Sequence, residues 1–226
     1  VGFWGLAFFY PLNGVHHYLW SPIPMFAQYG AVVATVGVEI VVTTVFINFL
    51  ATLRGQAGAL VQSIPLRWIY TGIIFYVITC IQCAYQTLLT VQTIVHFTDW
   101  VVGHAHLVMF GVFGFWIFGI ITELWPRLVG RPWYSVRLNR WHYWLTTVGT
   151  AFMVIDLVAA GLVQGYLWRD LAPWEASLRA SAPFWTARAV SGFVILLGQI
   201  LFFVNLWLTA RSSPAPEAVS APAVAA

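Results

Sequence analysis

Two histidine pairs are the residues of this sequence whose types and spacing can do chemistry. His104 and His106 are separated by one residue, so on an α-helix their side chains point about 200° apart. Such a pair cannot easily bind one metal ion, but each imidazole can be an axial ligand of a different centre. Two planar haems on opposite sides of one helix satisfy that geometry, and the small Gly103 and Gly111 nearby allow close approach.

The second pair, His16 and His17, favours a shared ion. Adjacent residues on an α-helix differ by about 100°, so both rings can turn toward one metal. Two imidazoles suit copper, iron or zinc, and they leave positions for a third ligand and a substrate. Tyr10 precedes His17 by seven residues, which on a continuous helix places it on the same face, about 10 Å away. A phenol there can supply a proton and an electron to a metal-bound substrate, although plain packing also suits a tyrosine.

The composition indicates that a membrane positions these residues. Of the 226 residues, 61% are hydrophobic and 8% are charged, whereas a soluble domain carries about 25% charged residues. Several long stretches lack charge altogether, and a span needs about 20 apolar residues. We therefore predict an all-α, polytopic membrane bundle of about six transmembrane helices, at 2–20, 27–53, 66–91, 101–125, 141–167 and 187–210. We assign 1–211 to the transmembrane core and interpret the Pro/Ala-rich tail, 212–226, as disordered.

The arginines predict the orientation of this bundle. If the first helix ends on side A, side B receives seven of the ten basic residues and side A three. Positive-inside logic makes side B cytoplasmic and side A external or periplasmic. Because the arginines lie at the ends of apolar segments, the basic charge reflects membrane topology, and we expect no nucleic-acid partner.

Histidines cluster at one depth of the predicted membrane. Five of the six fall near side A, and only His142 falls near side B. Ionisable groups inside a membrane are functional by default, although polar capping of helix ends is the plainer alternative. Within the spans, Glu39 and Asp156 are candidates for a proton path or for ordinary helix-packing polar groups. We interpret Cys80 and Cys83 as two small packing residues, because no second cysteine pair exists to complete a metal site.

Several stretches resemble a known family in order along nearly the whole chain. They read HHYLWSPIP, HFTDWVVGHAHLVMFG, PRLVGRPWYSVRLNRWHYWL and AAGLVQGYLWRD. The sequence resembles the second half of the catalytic subunit of cbb3-type cytochrome c oxidases, the C branch of the haem-copper oxidase superfamily. The resemblance implies that the spans match helices seven to twelve of a twelve-helix subunit in a bacterial cytoplasmic (inner) membrane. It also implies reduction of O2 with electrons from c-type cytochromes.

The resemblance further implies roles for individual residues. His16 and His17 would be two of three copper ligands, His104 the proximal ligand of a high-spin haem, and His106 a ligand of a low-spin haem. Both haems would be b-type. Tyr10 matches the position of the tyrosine that this branch carries on its seventh helix. His96 and Asp99 would lie near the haem propionates at the periplasmic end.

The sequence departs from that family in two respects. The family carries a glutamate in the ninth helix where this chain reads Ile81 to Ala84, and Glu39 instead places a carboxylate in the second span. A glutamate there resembles the related nitric oxide reductases, so a haem and non-haem iron centre that reduces NO is the alternative function. A non-catalytic haem anchor or a transporter is a third possibility, but neither needs a histidine pair.

Two ligands of the family's site do not occur in this chain. The third copper histidine and the second ligand of the low-spin haem should come from the first six helices. The sequence opens inside an apolar helix without Met. We therefore expect either a split subunit or a sequence that is incomplete at its start, and an N-terminal half as a partner.

Overall fold

A computed structural model of the chain describes residues 2–213, and within that range nearly every segment is helical and none is a β-strand. The predicted all-α class is therefore confirmed. The predicted tail lies outside the described residues from residue 214 onward. The elements, in chain order, are α1 (Gly2–Asn13), a 3₁₀ helix (Gly14–Tyr18), α2 (Met25–Thr52), α3 (Ala57–Gln62), α4 (Ile64–Gln86), α5 (Leu89–Val95), α6 (Asp99–His106), a π-helix (Leu107–Gly114), α7 (Phe115–Val129), α8 (Val136–Arg169) and α9 (Trp174–Arg211).

Five helices in the described range are long and apolar enough to cross a membrane. They correspond to the predicted second to sixth spans, and α6, the π-helix and α7 run together as one of them, Asp99–Val129. Their exposed residues are mostly large and apolar, as expected where lipid rather than water surrounds the bundle. The polytopic architecture is thus confirmed for these five segments.

The predicted bounds of the first span are wrong. Residues 2–20 do not form one helix: α1 ends at Asn13, and the chain continues as the 3₁₀ helix that carries both His16 and His17. Pro11 and Gly14 explain the change, because proline removes a backbone donor and glycine weakens a helix. A 12-residue helix rises only about 18 Å, which is short for a membrane core.

The last predicted span begins too late. The predicted span starts at residue 187, but α9 starts at Trp174 and continues through Pro183. Proline is tolerated inside membrane helices where neighbouring helices supply hydrogen-bonding partners. Pro173 stands directly before the first turn, where a helix begins readily.

The bundle is held by close helix contacts and an aromatic core. A Cβ added at Gly161 of α8 would lie 1.9 Å from the backbone nitrogen of Trp100, so α6 crosses α8 at this glycine. Between α4, α7 and α8, Trp68, Phe115 and Tyr143 pack together in the core. Helices α8 and α9 are joined by a buried amide contact of 2.8 Å between Asn139 and Asn205.

Candidate functional site

The 3₁₀ helix and the α5–α6 connection bring three histidines together at one end of the bundle. His16, His17 and His96 line one small cavity of about 90 Å³, although His96 lies far from the other two in sequence. The rings of His16 and His17 lie 4.3 Å apart between centroids. The structure therefore brings together three of the five histidines that were predicted to lie near side A.

The surroundings of His16 define which of its nitrogens is free. The Thr35 hydroxyl donates to the carbonyl of Ala31 at 2.7 Å, so its oxygen accepts the Nδ1–H of His16 at 3.1 Å. Nε2 then carries the lone pair, and its neighbour in the structure is the Cys83 sulfur at 3.6 Å. An imidazole held at Nδ1 with Nε2 available is the usual arrangement of a metal-ligating histidine.

His104 has the same arrangement on a different helix. Its Nδ1 lies 3.2 Å from Gln82 Oε1 and 3.4 Å from Thr79 Oγ1, both on α4. Because the amide oxygen accepts, Nδ1 carries the proton and Nε2 is free. The ring is buried and stacks on Trp100 one turn earlier, with 5.8 Å between centroids. Its orientation is therefore fixed by contacts with both helices.

His106 is held by its own helix instead. Its Nδ1–H donates to the carbonyl of Val102 at 2.8 Å, which again leaves Nε2 free. The ring is half-buried, whereas His104 is buried against α4. The two side chains therefore have different surroundings, as the spacing of two residues predicts. Directly after them the backbone forms the π-helix, a distortion frequent at functional sites.

A second cavity, of about 170 Å³, connects the remaining candidate residues. His104, Glu39 and Tyr10 all line it, together with Tyr76 and Cys80. Tyr10 is not on one continuous helix with His17, because α1 ends between them, so the predicted helical alignment of the two is wrong. The structure nevertheless places its phenol at the wall of the cavity that His104 borders.

His96 and Asp99, the two residues predicted to lie near the haem propionates, have different surroundings. The carboxylate of Asp99 accepts hydrogen bonds from Gln164 and Trp185, both at 2.7 Å, and so joins α6 to α8 and α9. His96 borders the small histidine cavity. Partial burial lowers the pKa of His96 below its ordinary value of 6.5, which favours the neutral imidazole.

Two other polar residues lie away from these cavities. Asp156 lines neither of them, and one of its carboxylate oxygens is buried without a hydrogen-bond partner among the described residues. His142 is fully buried, stacks on Phe202 at 4.2 Å, and also packs against Trp68. Within residues 2–213, no three His, Cys, Asp or Glu side chains converge closely enough to hold a metal ion by themselves.

Sequence reasoning did not assign the partners of the histidines. Cys83 was interpreted as a packing residue, and nothing in the sequence indicated that Thr35, Thr79 and Gln82 contact these histidines. The signal for these roles is weak in sequence, because each partner lies 19 to 67 residues from its histidine. Only the packing of α2 and α4 shows which polar residue reaches which ring.

Comparison with known proteins identifies the family. Residues 1–194 match the model of the family described as cytochrome c and quinol oxidase polypeptide I. The chain belongs to this family. It is 31% identical to cytochrome c oxidase subunit 1 of Rhodobacter capsulatus over 99% of its length and 44% of that protein. It is 28% identical to cbb3-type cytochrome c oxidase subunit CcoN1 of Stutzerimonas stutzeri, over 96% of this chain and 48% of that one.

A solved structure supports the fold of this oxidase-family chain. A cryo-EM structure of a heme-copper terminal oxidase dimer matches it with a TM-score of 0.70 and 16% identity, over 96% of this chain and 42% of that one. The chain thus spans about half the length of the curated relatives it matches. Family membership and the five apolar helices together show a multi-pass membrane protein.

The donors of this chain fit the cofactors that the family's resemblance implies. His16, His104 and His106 each have Nδ1 hydrogen-bonded and the lone pair on Nε2, the usual arrangement of metal-ligating histidines. At His16 this nitrogen lies 3.6 Å from the Cys83 sulfur. His17 adds a second imidazole beside His16. These contacts are observations of the protein alone, and they agree with imidazole ligation of haem iron and of copper.

Proposed function

We propose that this chain contributes the ligand-bearing helices of the catalytic subunit of a terminal respiratory oxidase of cbb3 type. The reaction is the reduction of O2 to water with electrons from c-type cytochromes, coupled to proton uptake. The observation that carries the proposal is the set of three histidines whose Nδ1 is hydrogen-bonded, which leaves the lone pair on Nε2, all within the residues that match the family.

In this proposal each histidine pair has a separate task. His104 holds a high-spin haem and His106 a low-spin haem, both b-type, while His16 and His17 hold one copper ion. The different surroundings of His104 and His106 support two separate haems, because one ring is buried against α4 and the other bonds to its own helix. When bound, these groups supply electron transfer and the site of O2 reduction.

The chain's own residues prepare that site. Thr35 and Gln82 fix the tautomer and direction of two imidazoles before any ligand arrives. Tyr10 borders the cavity of His104 and is proposed as the catalytic phenol that supplies a proton and an electron. Glu39 lines the same cavity and belongs to the proton path. Asp156 lies outside the cavity, so in this proposal it serves a separate branch of proton uptake.

At the periplasmic end, His96 and Asp99 belong to the proposed haem surroundings. His96 shares a cavity with His16 and His17, so it lies beside the proposed metal site. Its neutral imidazole can still donate one hydrogen bond to a propionate. Asp99 acts indirectly, because its carboxylate ties α6 to α8 and α9 and so fixes the start of the helix that carries His104.

Two ligands of the proposed site must come from a partner of this chain. A second axial ligand for the low-spin haem and a third copper histidine are proposed to come from an N-terminal half of the same subunit. The relatives are about twice as long as this chain, which supports this assignment. The absence of any three converging His, Cys, Asp or Glu side chains in residues 2–213 agrees with a site completed by other helices.

The first experiment is a measurement of copper, total iron and haem in the purified native complex. We expect about one copper per catalytic subunit and all iron accounted for as haem. A complex without copper and without excess iron contradicts a binuclear centre of either kind. Removal of copper with a chelator should abolish O2 reduction while the low-spin haem spectrum remains.

Nitric oxide reduction is the second candidate function, and Glu39 is the observation that favours it. A carboxylate lies in the wall of the cavity that His104 borders, where it can serve non-haem iron as ligand or proton donor. In that case the native complex contains no copper and about one iron in excess of haem. The same metal measurement therefore separates the two functions.

A further inference from the structure

Two buried glutamines hold irregular backbone beside the two histidine pairs. Gln28 lies in the first turn of α2 and is 3% exposed, and Gln164 lies near the end of α8 and is 5% exposed. Each side chain makes hydrogen bonds to another segment of the chain rather than to its own helix. A single amide has both a donor and an acceptor, so it can satisfy backbone groups that a turn leaves unpaired.

Gln28 holds the turn that follows His16 and His17. Its amide oxygen accepts the backbone N–H of Trp20 at 2.8 Å, and its amide nitrogen donates to the carbonyl of Ile23 at 3.1 Å. Trp20 has a φ of 61°, in the left-handed region that residues other than glycine rarely adopt. A backbone conformation of this kind persists only where the surrounding structure holds it, as the two bonds from Gln28 do here.

Gln164 holds the start of α6, ahead of His104 and His106. Its amide oxygen accepts the backbone N–H of Asp99 at 2.8 Å, and its amide nitrogen donates to the Asp99 carboxylate at 2.7 Å. Phe97, just before this helix, has a φ of 63°. At both histidine pairs, therefore, a buried glutamine bonds to backbone beside a residue in the left-handed region.

Small residues let α8 come close enough to α6 for this contact. A Cβ added at Gly165 would lie 2.0 Å from the carbonyl oxygen of Ile94, and one added at Gly161 would lie 1.9 Å from the nitrogen of Trp100. These two glycines flank the glutamine in sequence. Because Trp100 also stacks on His104, a shift of α6 at this point moves the imidazole ring.

We propose that Gln28 and Gln164 are positioning residues: Gln28 fixes the proposed copper ligands on the 3₁₀ helix, and Gln164 fixes the proposed haem ligands on α6. This inference rests on the proposed function. Each glutamine fixes the backbone from which a histidine pair extends, and the ligands of a site must be held within about 0.5 Å of their productive positions. Loss of either set of bonds therefore disturbs one pair and leaves the other in place.

Leucine variants of the complete complex test this assignment, because leucine fills similar space and makes no hydrogen bond. We expect Gln28→Leu to lower the copper retained per haem against a graded chelator by about tenfold, with an unchanged haem absorption spectrum. We expect Gln164→Leu to displace the haem spectrum and to leave copper retention unchanged. Gln199→Leu is the matched control, since the Gln199 amide donates to Thr146 at 3.0 Å and so joins α9 to α8 instead of a ligand-bearing segment.

Hydrogen exchange of the same samples, read by mass spectrometry, follows the backbone without reference to copper. Amides of residues 18–23 should exchange faster in Gln28→Leu, and those of residues 97–101 should exchange faster in Gln164→Leu. Glutamate keeps the acceptor of glutamine and loses its donor. Gln28→Glu and Gln164→Glu should therefore show the same divided pattern, and they decide the matter if a leucine variant does not assemble.

The outcomes separate the positioning roles from the function on which they rest. Copper and haem signals that fall together in both glutamine variants, or that match those of Gln199→Leu, overturn the positioning roles and leave the oxidase proposal standing. A native complex without copper removes the proposed function itself. Hydrogen exchange then decides the positioning roles alone, and unchanged exchange in both segments overturns them.

Discussion

At the scale of single residues, the most informative contact is the hydrogen bond between Thr35 and Nδ1 of His16, the ring nitrogen that faces away from the proposed metal. Thr35 accepts the Nδ1–H of His16 and so holds the ring in the tautomer that leaves Nε2 free. Partners of this kind are nearly as important as the ligands, and their loss typically costs about 10–100-fold in metal affinity. We therefore expect the Thr35 hydroxyl to contribute measurably to the metal affinity of the site.

We predict that Thr35→Val lowers copper retention by about 10–100-fold, because valine fills similar space but cannot accept the imidazole proton. The measurement is copper per haem after equilibration of the purified complex with a graded chelator. Thr44→Val is the matched control, since Thr44 also lies on α2 but its hydroxyl donates to the carbonyl of Val41. Equal retention in both variants would show that Thr35 has no part in holding the metal.

Residue types and spacings identified the histidine pairs as candidate ligands, but not the residues that hydrogen-bond to them. The pairs His16–His17 and His104–His106 are visible because their members are close in sequence, where helical geometry can be applied directly. Gln82 and Thr35 lie 22 and 19 residues from the rings they contact, so no local rule joins them. The 3.6 Å contact of Cys83 with His16 is equally hidden from local rules, because 67 residues separate the two.

At the scale of elements, the length of the apolar segments predicted the spanning helices well. It did not predict where irregular backbone interrupts a helix or where a helix extends beyond its apolar segment. The runs of α2, α4 and α8 are long and uncharged, so their positions follow from bilayer thickness. The break after Asn13 and the early start of α9 depend on how individual prolines and glycines are accommodated, which packing decides. Gly103 and Gly111 also let neighbouring helices approach, because a Cβ added to either would lie 3.0 Å from Leu157 or from Phe75.

The crossing of α6 and α8 gives a prediction about elements. In Gly161→Ala the new methyl group would lie 1.9 Å from the nitrogen and 2.5 Å from the Cα of Trp100, so α6 must shift. Overpacking of this kind costs about 1–3 kcal/mol. We expect a lower thermal midpoint for the purified complex and a displaced haem absorption spectrum, because α6 carries His104.

Gly192→Ala is the control for that change. Gly192 lies within α9, and a Cβ added there meets nothing within 4 Å. Alanine should leave the spectrum unchanged and stabilise the helix by about 0.5–1 kcal/mol. If Gly161→Ala behaved like Gly192→Ala in thermal melting and in the spectrum, the close approach of α6 and α8 would not be needed for function.

At the scale of the whole molecule, the distribution of arginines predicts which side of the membrane the site faces. With five spanning helices, α3, which contains Gly58, and the α7–α8 turn fall on side B with most of the arginines, while the α8–α9 turn falls on side A. The histidine cavity lies toward side A, at the 3₁₀ helix and the α5–α6 connection. From the positive-inside rule we therefore propose that the metal site lies near the periplasm.

Single introduced cysteines test this orientation. Leu171 is 89% exposed in the α8–α9 turn, and a Cβ on Gly58 meets nothing within 4 Å. We predict that Leu171→Cys reacts with a membrane-impermeant maleimide in intact cells, whereas Gly58→Cys reacts only after the membrane is opened. The unmodified chain, with Cys80 and Cys83 half-buried in the bundle, gives the background. The reverse labelling pattern would place the histidine cavity on the cytoplasmic side, so that electrons would reach it from the cytoplasm rather than from periplasmic cytochromes.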